Sequence, residues 1–139
     1  MKKVFLKLIL IKILLFTKAD LFAPVSGSVA IPQDYPVDPY QKLILAVGKV
    51  ETGLDTLAFN PMEDAVGYLQ IRPIRLQDYN IRTGSSYTMK DLYDYRVSDK
   101  IFRYYADKYG PYDFETAARR WNGSGSMTID YWNRVKVLL

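Results

Sequence analysis

The sequence predicts a small, mainly α-helical domain whose first half carries an irregular or short-β loop. Its 139 residues suffice for one domain and fall short of two ordinary ones. Apolar residues recur at helical spacing in several segments, and helix-starting and helix-ending residues flank those segments. No internal repeat or low-complexity tract interrupts this pattern. We therefore expect one helical domain.

The composition limits the chemistry, because the chain has neither cysteine nor histidine. This excludes disulfides, zinc–thiolate clusters, thiol nucleophiles and Ser-His-Asp machinery. Acid–base chemistry near neutral pH then falls to a carboxyl, lysine or tyrosine group whose pKa is displaced. We expect no metal and no cofactor, and a single glutamate is the natural candidate for the acid.

The formal charge of +4 does not indicate a nucleic-acid surface. Residues 1–23 contain five Lys and one Asp, which account for the whole excess. The remaining chain carries 14 basic and 14 acidic residues and is neutral. We therefore expect no nucleic-acid partner.

Residues 1–30 are predicted to be a signal peptide and leader. Two lysines follow the first methionine, and an apolar stretch runs from residue 4 to residue 16. That stretch is shorter than the roughly 20 apolar residues that a membrane-spanning helix needs. Lys7 and Lys12 interrupt it, so an amphipathic anchor lying on the membrane is the alternative.

The domain itself is predicted to span residues 31–139. Signal cleavage fits either Val25-Ser26-Gly27 or Ser28-Val29-Ala30, which both offer small residues. Residues 24–39 contain four prolines and no period, which predicts an extended leader. The protein is then expected in the periplasm or secreted, as a monomer, with membrane contact confined to its N-terminal segment.

A first helix is predicted over Tyr40–Thr52, with Pro39 at its start and Gly53 as a left-handed cap. Glu51 follows Val47 by four residues and therefore lies at the border of the apolar face, near the helix C-terminus. That face is formed by Leu43, Ile44, Val47 and Val50.

The position of Glu51 predicts a proton donor. Apolar neighbours desolvate a carboxylate, and the negative end of the helix dipole also opposes its ionisation. Both effects raise the pKa towards the range of a general acid at neutral pH. The alternative is a surface glutamate that reaches water or pairs with Lys49 or Arg72.

The segment after the first helix lacks helical spacing. Leu54–Asp64 is predicted to be a loop, and Ala65–Ile71 is apolar without a helical period. Gly67 suits a tight turn or a close approach of the backbone to a ligand. Gln70 offers a neutral hydrogen-bonding side chain near the carboxyl group.

The middle of the chain is predicted to contain two short helical segments. A helix opens at Pro73 and reaches Tyr79, and a loop covers Asn80–Tyr87. Thr88 and Asp91 resemble a capping box, which starts a helix that breaks near Arg96.

Three helices are predicted to complete the domain. An amphipathic helix covers Val97–Tyr109, and Asp113 caps a helix over Phe114–Trp121 that ends at Gly123. Thr128 is predicted to cap the last helix. Its inward-facing residues are predicted to be Tyr131, Trp132 and Val135.

Four short motifs stand in a fixed order along the chain. They are Glu51-Thr52, Asn60-Pro61, Gly67-Tyr68-Leu69-Gln70 and Trp121-Asn122-Gly123. In this order they resemble the Glu-Ser, Asn-Pro, Gly-Leu-Met-Gln and Tyr-Asn motifs of lysozyme-like lytic transglycosylases and goose-type lysozymes. The resemblance covers roughly Tyr40 to Trp132.

The resemblance implies a lysozyme-like fold that cleaves peptidoglycan between N-acetylmuramic acid and N-acetylglucosamine, with Glu51 as general acid and base. Thr52 replaces the family's Ser and keeps a hydroxyl, Tyr68 replaces Leu, and Trp121 replaces Tyr. Because an indole N–H only donates, Trp121 cannot accept a hydrogen bond as a tyrosine hydroxyl does. The substrate-binding positions that the resemblance implies are Thr52, Asn60, Gly67, Tyr68, Gln70, Trp121 and Asn122.

The reaction type depends on whether a second carboxylate takes part. Two-carboxylate glycosidases hold their acids about 5–9.5 Å apart. Asp55, Glu63 and Asp64 are the acids near Glu51 in sequence, and none stands at a motif position. We therefore expect a lytic transglycosylase with a single glutamate. A hydrolytic muramidase and a non-catalytic glycan-binding or envelope scaffold protein are the alternatives.

Overall fold

Residues 38–139 fold into five α-helices, a 3₁₀ helix and a two-stranded hairpin in the computed structural model, which describes this part of the chain. The predicted signal peptide, the leader and residues 31–37 of the predicted domain lie outside the described residues. The prediction of a mainly α domain with a short β loop is confirmed. In chain order the elements are α1 (Gln41–Thr52), β1 (Phe59–Asn60), β2 (Ala65–Val66), α2 (Pro73–Thr83), the 3₁₀ helix (Met89–Tyr93), α3 (Tyr95–Tyr109), α4 (Phe114–Asn122) and α5 (Met127–Lys136).

Helix α1 lies in the core, as its apolar spacing predicts. Leu43, Ile44 and Val47 are fully buried. Gly53 ends the helix with φ of 69°, and its N–H donates to the carbonyl of Lys49 at 3.1 Å. This left-handed cap satisfies one of the carbonyls that a helix end leaves without a partner. The cap therefore fixes the end of the helix, and Glu51 lies in its last turn.

The loop after α1 returns as a short antiparallel hairpin. Phe59 pairs with Val66, and Asn60 pairs with Ala65. Val66 also exchanges two backbone hydrogen bonds with Ile71, at 3.0 and 3.1 Å. This second pairing closes residues 67–70 into a tight turn.

Helix α2 is longer than the sequence predicts. It continues to Thr83, whereas a loop was expected from Asn80 onwards. Gly84, at φ of 70°, ends the helix. Asn80 stays helical and uses its side chain to hold the loop, since its amide donates to the carbonyl of Tyr87 at 2.7 Å and accepts from the Tyr87 N–H.

The predicted capping box is confirmed, although it opens a 3₁₀ helix. Thr88 and Asp91 bond reciprocally at its start. The break falls at Asp94, two residues before the expected one, because the Asp94 carboxylate accepts the N–H of Arg96 at 2.9 Å and starts α3 early.

Helices α4 and α5 form an adjoining pair at the end of the chain. Asp113 caps α4 as predicted, accepting the N–H of Thr116 at 3.0 Å. The prediction that Thr128 caps α5 is wrong, because the helix begins at Met127. The buried Thr128 hydroxyl instead donates to the carbonyl of Gly125 at 2.7 Å.

One cluster of buried residues joins all five helices to the turn after β2. Arg103 on α3 forms ion pairs with Asp99 and with Asp38, which precedes α1. Within residues 38–139, no helix is long and apolar enough to cross a bilayer.

Candidate active site

Glu51 lies half-buried at the end of α1 and accepts a hydrogen bond from a tyrosine. The hydroxyl of Tyr131, on α5, donates to Glu51 Oε1 at 2.7 Å. Burial raises the pKa of Glu51 above its ordinary value of 4.5, and the Tyr131 hydrogen bond opposes that rise. The charges of Arg134, Arg72 and Arg75 oppose it more weakly. The direction agrees with the predicted proton donor.

A cavity of about 280 Å³ opens beside this carboxyl group. Its walls come from the end of α1, the turn after β2, the start of α2 and the end of α4. The lining residues are Glu51, Glu63, Gln70, Arg72, Ile74, Arg75, Trp121 and Asn122. Four of the predicted site residues, Glu51, Gln70, Trp121 and Asn122, therefore meet at one cavity.

Gln70 reaches the cavity from a strained backbone. Its φ is 50°, in the left-handed region that non-glycine residues seldom occupy. The carbonyl of Gly67 holds it twice, accepting from the Gln70 backbone N–H and from its side-chain amide, both at 3.0 Å. The turn over residues 67–70 thus fixes the side chain at the wall of the cavity.

Trp121 ties the end of α4 to the same turn. Its indole N–H donates to the carbonyl of Leu69 at 3.1 Å, in keeping with an indole's donor-only character. The Arg75 guanidinium lies over the indole, 4.1 Å from the ring centroid. Asn122, the next residue, also lines the cavity.

Two of the predicted substrate-binding residues do not line the cavity. The side chain of Tyr68 is only 1% exposed, and its ring packs against Tyr95 at 5.0 Å between centroids. Gly67 faces the 3₁₀ helix, where an added Cβ would lie 2.3 Å from the carbonyl oxygen of Leu92. Both residues therefore shape the turn from its inner side and do not face the cavity.

Thr52 and Asn60 stand outside the cavity and support it. The Thr52 hydroxyl lies 3.1 Å from the carbonyl of Tyr68, which links the end of α1 to the turn. The Asn60 side chain accepts the N–H of Met62 at 3.0 Å within the hairpin loop. The Thr52 hydroxyl thus positions the segment that carries Gln70, and the Asn60 amide shapes the hairpin loop.

The sequence did not single out Tyr131 as a site residue. It predicted an inward-facing Tyr131, and the side chain is only 2% exposed. Nothing in the sequence shows which of twelve tyrosines meets Glu51, because the pair is separated by 80 residues. A hydroxyl donor for Glu51 is therefore supplied by α5.

The sequence does not predict Arg75 as a cavity residue. Arg72, the partner of Glu51 in the alternative interpretation of the sequence, forms an ion pair with Glu63 at 2.8 Å instead. Arg75, one helical turn from Arg72, faces the cavity beside it. Within residues 38–139, no group of three or more acidic side chains is arranged to hold a metal ion.

A second cavity, of about 390 Å³, lies between α4 and α5 and is lined by Arg119, Arg120, Ser124 and Thr128 among others. Arg119 is bonded there to Glu115 and to the Thr128 hydroxyl. No carboxyl group lines it, so the smaller cavity at Glu51 is the better candidate for acid–base chemistry.

Fold and site together define a small helical domain with a half-buried acid, Glu51, beside a cavity. No protein-family model matches the chain, and no curated protein and no solved structure is significantly similar to it.

Proposed function

We propose that this protein is a peptidoglycan lytic transglycosylase, with Glu51 as its general acid and base. The observation that carries the proposal is the half-buried Glu51 carboxyl, hydrogen-bonded to Tyr131 at 2.7 Å beside a cavity. The order of the four sequence motifs supports the same class. The substrate is the glycan strand of peptidoglycan, which places the protein in the periplasm or outside the cell.

The first step transfers the Glu51 proton to the glycosidic oxygen as the bond to the muramyl anomeric carbon breaks. The N-acetyl oxygen of the same sugar forms a bond to that carbon and quenches its positive charge. Glu51, now ionised, takes the proton of the muramyl 6-hydroxyl. The 6-oxygen then attacks the anomeric carbon, releases the N-acetyl oxygen and closes a 1,6-anhydro ring. Glu51 ends protonated, ready for another cycle.

A hydrolytic muramidase is the second candidate, and the position of Glu63 favours it. Glu63 lines the same cavity as Glu51, whereas Asp55 and Asp64 do not. A hydrolase needs a carboxylate that activates water. The ion pair with Arg72 at 2.8 Å holds Glu63 in another interaction, so we favour the transglycosylase.

The test compares, in a peptidoglycan lysis assay, the substitution of Glu51 with that of a glutamate outside the cavity. Glu51→Gln keeps the shape and the hydrogen bond from Tyr131 but has no acidic proton, so activity should fall by at least about 10²–10⁴-fold. Glu115→Gln, which changes an exposed glutamate paired with Arg119, is the matched control and should leave lysis unchanged. Lysis by Glu51→Gln at the parent rate would remove Glu51 from the mechanism.

Mass spectrometry of the released muropeptides separates the two reaction types. Anhydromuramyl ends are lighter by one water than hydrolysed, reducing ends. A transglycosylase yields the lighter products and retains its activity in Glu63→Gln. Reducing ends alone, together with a loss of activity in Glu63→Gln, would establish the hydrolase. Absence of any cleavage by the parent protein would favour the glycan-binding scaffold.

A further inference from the structure

Arg75 is the cation of the cavity for which no carboxylate partner is found among residues 38–139. It lies half-buried in the first turn of α2, and its Nη2 donates to the carbonyl of Trp121 at 2.8 Å. Its guanidinium lies over the faces of Trp121 and Tyr105, at 4.1 and 5.6 Å from their centroids. The ion pairs of the described residues involve other arginines.

The charges that line the cavity leave Arg75 unbalanced. Glu63 and Arg72 neutralise each other through their ion pair. When Glu51 carries its proton, as it must to act as an acid, the lining keeps one net positive charge. That charge belongs to Arg75, which lies close enough to Glu51 to affect its ionisation.

A partly desolvated guanidinium is stable when hydrogen bonds or an anion replace its lost water. The bonds that Arg75 makes to described residues use Nη2, so Nε and Nη1 remain available as donors. The planar guanidinium makes charge-assisted hydrogen bonds to a carboxylate. Stacking on Trp121 fixes the plane of the guanidinium at the wall of the cavity.

We propose that Arg75 binds a carboxylate of the substrate and so selects carboxylate-bearing glycan strands over neutral ones. This inference rests on the proposed function, because it names a substrate group for the same cavity. The carboxylate has two sources: the peptide stem, which where attached takes up the lactyl carboxyl in an amide bond, or the free lactyl group of a muramyl unit without a stem. Both present the same chemistry to the guanidinium.

The experiment uses the full chain and measures binding and cleavage separately. Binding of the Glu51→Gln variant to insoluble peptidoglycan is followed by co-sedimentation, and cleavage by the parent protein is followed by muropeptide release. Each is measured on native strands and on strands whose carboxyl groups have been converted to neutral amides. Loss of one charge-assisted contact should weaken binding to the neutral strands by about tenfold or more.

Substitution of Arg75 should remove this difference. In Arg75→Gln, native and neutral strands should bind about equally, whereas the control Arg96→Gln should keep the preference. Arg96 carries the same charge, is 88% exposed in its side chain and does not line the cavity. If Arg75→Gln shows no cooperative melt, the comparison of native with neutral strands in the parent still decides the proposal.

An amidase removes the stems and exposes lactyl carboxylates in their place, so the same measurements on stripped strands identify the source. A preference of stemmed strands that disappears on stripped ones assigns the stem alone, and one that persists shows that the lactyl carboxylate is bound as well. Equal binding of native and neutral strands overturns the Arg75 proposal while cleavage upholds the proposed function. Preferential binding without cleavage upholds the role of Arg75 and overturns the enzyme. Failure to bind either kind of strand overturns both.

Discussion

Glu51 is subject to opposing influences on its ionisation. Burial at the end of α1 raises its pKa, while the Tyr131 hydroxyl and nearby arginines stabilise its ionised form. An acid that must give a proton and then take one back benefits from such a balance. Glu51→Gln tests the effect of burial, and Tyr131→Phe tests the effect of the hydrogen bond.

The stability of Glu51→Gln relative to the parent protein should increase as the pH rises. A raised pKa in the folded state means that the native protein holds this proton more tightly than the unfolded chain does. The resulting stabilisation is present below the ordinary value of 4.5 and is lost as the pH rises through the raised pKa. Glutamine does not titrate, so the variant avoids this loss.

Thermal melts of the parent and of Glu51→Gln between pH 4 and pH 8 would measure the effect. The difference in Tm, variant minus parent, should grow towards pH 8. Glu115→Gln, at an exposed site, serves as the control. A difference that shrinks as the pH rises would contradict the burial of the Glu51 carboxyl.

Tyr131→Phe should raise the pKa of Glu51 further. The substitution removes the donor at 2.7 Å that stabilises the ionised carboxylate and leaves the ring in place. The folded state should also lose about 1–3 kcal/mol, the usual scale for a hydrogen bond to a charged group. Titration of the Glu51 carboxyl carbon by NMR measures the shift, and Tyr93→Phe, outside the cavity, is the control. An unchanged or lowered pKa would mean that Tyr131 does not donate to Glu51 in solution.

At the scale of elements, the turn over residues 67–70 brings the walls of the cavity together. It bonds to the end of α1 through Thr52 and to α4 through Trp121. It packs against the 3₁₀ helix at Leu92. A distortion of this turn should therefore move Gln70 and loosen several contacts at once.

Gly67→Ala should be much more destabilising than Gly84→Ala. Both glycines have positive φ, 76° and 70°, so each substitution carries a conformational cost of about 1–2 kcal/mol. A Cβ at Gly84 meets nothing within 4 Å, whereas a Cβ at Gly67 would lie 2.3 Å from a backbone carbonyl oxygen. Urea unfolding should give a loss for Gly67→Ala that exceeds the Gly84→Ala loss by at least about 1 kcal/mol. Equal losses would show that the turn and the 3₁₀ helix do not pack closely.

At the scale of the whole molecule, Asp38–Leu139 forms one compact unit around a single core. At the start of the described residues, Asp38 pairs with Arg103, and the Tyr40 hydroxyl accepts the N–H of Tyr112 at 3.1 Å. The predicted motifs and helices all lie within it.

A chain of residues 31–139 should therefore fold without the N-terminal segment. It should show a helical far-UV circular dichroism spectrum and one cooperative thermal transition, because the buried cluster lies within residues 40–135. A matched chain that begins at residue 45 would lose Tyr40, Leu43 and Ile44 from the core and should not melt cooperatively. A non-cooperative melt of residues 31–139 would place part of the folding unit before residue 31.

Features that depend on neighbours within a few residues could be predicted from the sequence. Asp113 and the Thr88–Asp91 box start their segments as predicted, and Gly53 ends α1, because caps are hydrogen bonds between residues three or four apart. The helical period also placed Glu51 at the border of a buried face. These are local rules, and they hold before the chain has packed.

The side chains that share the cavity with Glu51 could not be predicted, because they come together through tertiary packing. Tyr131 meets Glu51 across 80 residues, and Arg75 lies over Trp121, 46 residues away. Tyr68 lies in the core, within the turn that the pairing of Val66 with Ile71 closes. Such contacts depend on the angles at which helices and turn pack together, and no local pattern encodes those angles.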